Sequence, residues 1–326
     1  MIISRATNCF LLVVAWLTWS ASLSCCSSLP AQNVNDAATF ARDLNQLLAQ
    51  HELERANATL ALYLSQTSPS PEELLEIGRI YFEHEYWQNA VELLRKSIAL
   101  QPQSDLAHLL LGLSLAEIGQ ADESERELSI AVRQNPKSEM NCYFAGWRLL
   151  VRSKYEDALP YFYKALTLNP RNPNTYRALG SALSRTGSYG LAETYYRKAI
   201  GLLESQPTPE PYLDLAYLLL LGNRKESAAE ALDCAMKAQR INPNMAEAHY
   251  LGGKALMKLD RYVEAERELR KATHLNSNDA RPYFLLAQAY DRMGKPAQAN
   301  DARKAFGRIS QRRVDESQGM ELPPSR

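Results

Sequence analysis

EMNCYFAGWRLLVRSKYEDALPYFYKALTLNPRN, residues 139–172, is the stretch on which the fold turns. Gly146 sits inside an apolar run, Ala158, Phe162 and Ala165 follow at helical spacing, and Asn169-Pro170 closes the segment. Stepping away from it by 34 residues returns the same residue types. Glycine recurs at Gly78, Gly112, Gly146 and Gly180, and a small residue at Ala90, Ser124, Ala158 and Ala192. A second small column holds Ser97, Ala131, Ala165 and Ala199, and a proline column holds Pro102, Pro136 and Pro170. Four columns with one period are the mark of a repeat array, in which each unit is one supersecondary element that stacks on its neighbours.

The physical reading is a pair of antiparallel helices per unit. Small residues at the glycine and alanine columns let two backbones approach, and the bulky residues beside them fill the remaining gap. Proline ends the second helix because it lacks an N–H and disfavours a helical residue before it. Asn135-Pro136, Asn169-Pro170 and Asn242-Pro243 mark such ends. Seven units are placed at 71–104, 105–138, 139–172, 173–206, 209–245, 246–279 and 280–313. The eighth position then reads Gly78, Gly112, Gly146, Gly180, Ala216, Gly253 and Ala287. The unit at 209–245 is longer than the others, so its second helix or the following loop is stretched. Residues 37–70 are expected to form a degenerate helical hairpin, with Leu44 in place of the glycine and Tyr63 in place of a small residue. The polar stretch 314–326 is expected to be a disordered tail.

The order of these columns resembles the tetratricopeptide repeat, as in Leu74, Ile77-Gly78, Tyr81, Ala90, Leu94, Ser97 and Pro102. That resemblance implies an all-α, right-handed superhelical solenoid of antiparallel helix hairpins whose first helices line a concave groove. It also implies that positions 2, 5, 9, 12 and 13 of each unit face the groove. In 105–138 these include Leu106, Leu109 and Leu113, and in 139–172 they include Met140, Tyr143, Trp147 and Leu150. An apolar lining over two neighbouring units is expected to anchor a protein or peptide partner. Arg177 and Arg185 lie one unit further on, suited to a carboxylate or polar end of the same ligand. Two devices of the family are not matched. Position 9 reads Arg79, Leu113, Trp147 and Ser181, which lacks the Lys/Asn carboxylate clamp, and position 6 reads Glu76, Leu110, Phe144 and Ala178, which lacks an asparagine ladder.

The remainder of the sequence points away from catalysis. The chain has 326 residues, with Lys+Arg and Asp+Glu both 37, so its formal net charge of zero lacks the footprint of a nucleic-acid binder. No phosphate-cradling loop, nucleophile elbow or Cys-x-x-Cys is present. His108 and His249 fall in a packing column, as does Cys142, and no two histidines share metal-ligand spacing. Acidic runs at Glu123–Glu127 and Glu264–Glu268 start second helices, where carboxylates interact favourably with the dipole. The expectation is a protein that is not an enzyme and needs no cofactor, metal or small-molecule substrate.

Residues 1–31 stand apart. Arg5, an apolar run from Cys9 to Trp19 and a Ser/Ala-rich stretch read as an export signal or an N-terminal anchor. Leu23-Ser24-Cys25 resembles the end of a bacterial lipoprotein box, with Ser22 where a branched apolar residue is usual, so Cys25 and Cys26 are lipidation candidates. The expected setting is therefore exported: periplasmic or secreted, with a possible membrane tether.

Overall fold

A computed structural model describes residues 37–222 and 225–319. Residues 1–31, read above as an export signal or N-terminal anchor, lie outside the described residues together with Cys25 and Cys26. Within them the chain forms sixteen α-helices and no strand. They fall into two compact units, 1–168 and 169–326.

The first unit holds α1 Ala37–Ala49, α2 Leu53–Gln66, α3 Pro71–Glu83, α4 Trp87–Leu100, α5 Asp105–Glu117, α6 Ala121–Gln134, α7 Glu139–Val151 and α8 Tyr155–Leu168. The second holds α9 Pro173–Arg185, α10 Tyr189–Leu202, α11 Glu210–Leu219, α12 Lys225–Ile241, α13 Ala246–Lys258, α14 Tyr262–Leu275, α15 Ala280–Arg292 and α16 Pro296–Gly319. In each unit consecutive helices pair as hairpins, and each hairpin packs on the next.

Local chemistry sets these boundaries. Ser70, Ser104, Ser138 and Asn172, spaced by one repeat, accept hydrogen bonds from backbone N–H groups at the starts of α3, α5, α7 and α9. Ser70 and Glu73 complete a capping box ahead of Pro71. The turns between first and second helices pass through a residue with positive φ at Glu85, Gly119, Ser153 and Gly187, and again at Asp260 and Gly294. These are left-handed positions that end a helix in one residue.

The glycine column has a steric cause. A Cβ on Gly112 would come 2.7 Å from Leu128, and one on Gly180 would come 2.6 Å from Tyr196. The second helix lays its bulkiest side chain directly over the glycine. Ala90, Ala131, Ala158, Ala165, Ala192 and Ala199 are fully buried in the same interfaces.

Two differences from the sequence reading stand out. The stretched unit at 209–245 places its extra residues in the second helix, since α12 has 17 residues where α10 has 14. The tail expected to be disordered from 314 instead continues α16 as far as Gly319. Residues 311–318 contain no proline or glycine, so nothing in them breaks a helix already under way. No helix among the described residues is long and apolar enough to cross a membrane.

Candidate partner-binding surface

The apolar residues of α5 and α7 build a surface from the core outward. Gly146 lets Phe162 of α8 lie 2.9 Å from where its Cβ would stand. Phe162 is fully buried, and Tyr143 tilts against it with ring centroids 6.0 Å apart. Phe144 meets Tyr143 edge-on at 5.2 Å. Trp147 then stacks on Tyr143 at 6.4 Å and 12°. Trp147 is half-buried, and so are Leu106, Met140, Leu150 and Val151. The result is an aromatic anchor whose orientation is fixed by packed rings beneath it.

Three residues expected to line the groove belong instead to the interior. Leu109 is 0% exposed, Tyr143 6% and Leu113 7%. Tyr143 of α7 is enclosed among the rings of Phe144, Trp147 and Phe162; for the two leucines the reason is visible in α5, which is apolar around most of its circumference. A helix of that kind is enclosed by its neighbours rather than presenting one stripe. These side chains therefore support the surface without offering themselves to a partner.

A carboxylate edges this surface. Glu117 ends α5, and burial pushes its carboxyl upward, with Arg148 of α7 pulling it back and Glu85 adding to the rise.

In the second unit the first helices carry polar and aromatic groups. Arg177 of α9 donates to Asp214 of α11 at 2.8 Å, so its guanidinium already has a carboxylate, while Arg185 is exposed. Arg281 lies 4.5 Å above the Tyr250 ring and is held by Glu247 and Asp279. The Lys254 ammonium, 5.7 Å from the Tyr217 ring, is depressed by burial and then by Lys258 and Arg281.

One arrangement escaped the sequence reading. His108 is not simply a packed ring: its Nδ1 lies 2.5 Å from a Glu127 carboxylate oxygen and its Nε2 lies 3.1 Å from the Pro102 carbonyl oxygen. His249 repeats this with Glu268 at 2.8 Å and Pro243 at 3.0 Å. The signal was present, because each histidine shares its unit with a glutamate nineteen residues on and follows a proline by six. Cys142 and Cys234 are buried free thiols, and burial raises both, Cys234 to about 11. Among the described residues no cluster of His, Cys, Asp and Glu is arranged to hold a metal ion.

The family model described as tetratricopeptide repeat matches residues 75–139, 145–207 and 213–283. The chain belongs to the tetratricopeptide repeat family. Curated relatives match it at low identity. Anaphase-promoting complex subunit 3 of Schizosaccharomyces pombe is 22% identical over 284 residues, covering 76% of this chain and 42% of that protein. BBSome complex member BBS4 of Bos taurus is 24% identical over 214 residues, covering 65% of this chain and 40% of that one. This tetratricopeptide protein thus spans about two fifths of the length of these curated relatives. Among solved structures, PilW, described as a type IV pilus biogenesis factor, superposes with a TM-score of 0.59 at 19% identity over 68% of this chain and all of its own (100%). The anaphase-promoting complex assembly Cut9–Hcn1 gives a TM-score of 0.59 at 16% identity, covering 78% of this chain and 46% of its own. These likenesses show the tetratricopeptide solenoid fold.

Proposed function

We propose that this tetratricopeptide protein is a non-catalytic scaffold of the cell envelope that captures an apolar or amphipathic segment of a protein partner. The observation that carries the proposal is Trp147, only half-buried yet packed on Tyr143, which in turn rests on Phe162, with Leu106, Met140 and Leu150 also half-buried on α5 and α7. Rigid aromatic anchors beside smaller apolar residues are where binding energy concentrates in protein interfaces. The membership of a family built from stacked hairpins supports a binding role, and the sequence carries no motif for phosphate, acyl or metal chemistry.

Residues 1–31 direct the chain out of the cytoplasm in this reading. Deleting them leaves the repeats folded and the protein in the cytoplasm, which cell fractionation measures; unchanged export contradicts it. A second reading makes the protein a lipid-anchored subunit of a secretion, pilus or polysaccharide-export machine. The lipoprotein-like Leu23-Ser24-Cys25 favours it, and the fold shared with PilW gives pilus assembly as a concrete instance. Mass spectrometry of the mature N-terminus separates the two, since only the second requires an acylated Cys25 or Cys26.

Site-specific photo-crosslinking in intact cells tests the binding surface. A crosslinker at Leu150 is expected to trap one discrete protein that the same crosslinker at Leu100, exposed on the second helix α4, does not. Identical adducts at both sites contradict the proposal.

A further inference from the structure

A cleft of about 540 Å³ opens between α1 and α3 in the first unit, well away in sequence from Trp147. Its origin lies in the degenerate hairpin. Where the next repeats carry Ser97, Ala131 and Ala165, this hairpin carries Tyr63, whose ring stacks on Phe40 at 4.0 Å. The pair takes up space between the α1–α2 hairpin and α3 and leaves the cleft beside it. Phe40, Tyr63, Ile77 and Ile80 form an apolar floor. Ala37, Ala38 and Ala41 of α1 form a low wall, with Arg42 and Asn45 beside them.

The other wall is charged. Glu72, Glu73, Glu76 and Glu83 line the cleft, against only Arg42 and Arg79. Arg79 is already held between two of those carboxylates, its Nε donating to Glu76 at 2.8 Å and another guanidinium nitrogen to Glu83. Glu73 is bound to the Ser70 backbone N–H in the capping box. One arginine shared by two carboxylates leaves a surplus of negative charge above an apolar floor. The Glu83 carboxyl is raised chiefly by its burial, which marks how far this wall is already withdrawn from water.

We infer that this cleft is a second binding site, which takes a basic segment of a protein partner. An Arg or Lys side chain matches both walls: its methylene stem lies along apolar surface while its head stays at the charged rim. Leucine-sized neighbours fill the remaining volume over Phe40 and Ile77. Sites of this size, mostly apolar with a few placed polar groups, are those that hold short ligand segments. No residue that lines it belongs to the surface around Trp147.

The test uses the full chain and a fluorescein-labelled peptide of alternating leucine and arginine, read by fluorescence anisotropy. The peptide is expected to bind, and its leucine–glutamate counterpart is expected to bind more weakly by about tenfold or more. Ala41→Trp fills the cleft and is expected to reduce affinity by about tenfold. Ala38→Trp, at an exposed position on the same wall, gives the same answer should Ala41→Trp disturb folding, with the melting midpoint as the check on each. Glu72→Lys is expected to weaken binding and flatten its salt dependence. Binding unchanged in both tryptophan variants, equal binding of the glutamate peptide, or no binding to the full chain overturns the inference.

Discussion

A Cβ placed on Gly146 would stand 2.9 Å from Phe162, a separation real side chains do not reach, so a single hydrogen atom at this position sets how closely α7 and α8 can lie. Gly146→Leu is expected to cost at least about 1–3 kcal/mol, as overpacking does, and a thermal melt with an unchanged midpoint would refute the register of the repeats. The converse holds at the turns. Ser153 has φ of 61°, a left-handed conformation that penalises any side chain with a Cβ, and it is exposed. Ser153→Gly is expected to stabilise by about 1 kcal/mol in urea unfolding. His108 supplies a pH dependence. Burial opposes its charge, but the hydrogen bonds to Glu127 and the Pro102 carbonyl and the Glu127 charge outweigh burial and the repulsion of Arg133, so its pKa is raised. A carbonyl oxygen only accepts and a carboxylate does the same, so the imidazole satisfies both when it carries two protons. Its folded pKa lies above the unfolded value of about 6.5, so the stabilisation is complete below that pH and is lost as pH rises through the folded pKa. Urea midpoints across roughly pH 5.5–8.5 are expected to fall with rising pH, and His108→Gln is expected to flatten that slope. At this scale the glycine column was legible because its cause is steric and strictly periodic. The left-handed turn column was only half legible: Gly119 and Gly187 advertise it, whereas Glu85 and Ser153 adopt it against their own preference.

Among the elements, α8 carries Pro160 beyond its first turn, where the ring removes the hydrogen bond to the Glu156 carbonyl. Pro160 is exposed, so no packing compensates. Pro160→Ala is expected to raise stability by about 1–3 kcal/mol, measured by denaturant unfolding; a destabilised variant would contradict it. The order of the hairpins followed from the 34-residue columns and the Asn-Pro helix ends, and the structure adds Ser70, Ser104 and Ser138 as caps at the same spacing. The candidate surface was less legible. Helical spacing says on which side Leu109, Leu113 and Tyr143 leave their helices, but not how tightly the neighbouring elements close over that side. Because α5 is apolar nearly all round, its neighbours close over it, while Leu106, Met140, Trp147, Leu150 and Val151 keep part of their area exposed. The cleft between α1 and α3 was not legible: Leu44 and Tyr63 depart from their columns, and a departure alone does not say whether space opens or closes.

At the scale of the whole molecule, the chain is a tetratricopeptide array with two compact units and no net charge. Its first unit presents the apolar anchor around Trp147 and the acidic cleft beside Phe40, and its second unit carries paired arginines and lysines over tyrosine rings. A scaffold of this design binds by surfaces its core has already fixed, so truncating an anchor is expected to remove binding while leaving the stack standing. Trp147 is the place to ask. In Trp147→Ala, the thermal midpoint and the yield of partner crosslinked through Leu150 are measured on the same preparation. The account predicts a stability loss of only about 1 kcal/mol with crosslinking abolished. A loss of several kcal/mol, the signature of a large-to-small change in a core, with crosslinking intact would contradict it.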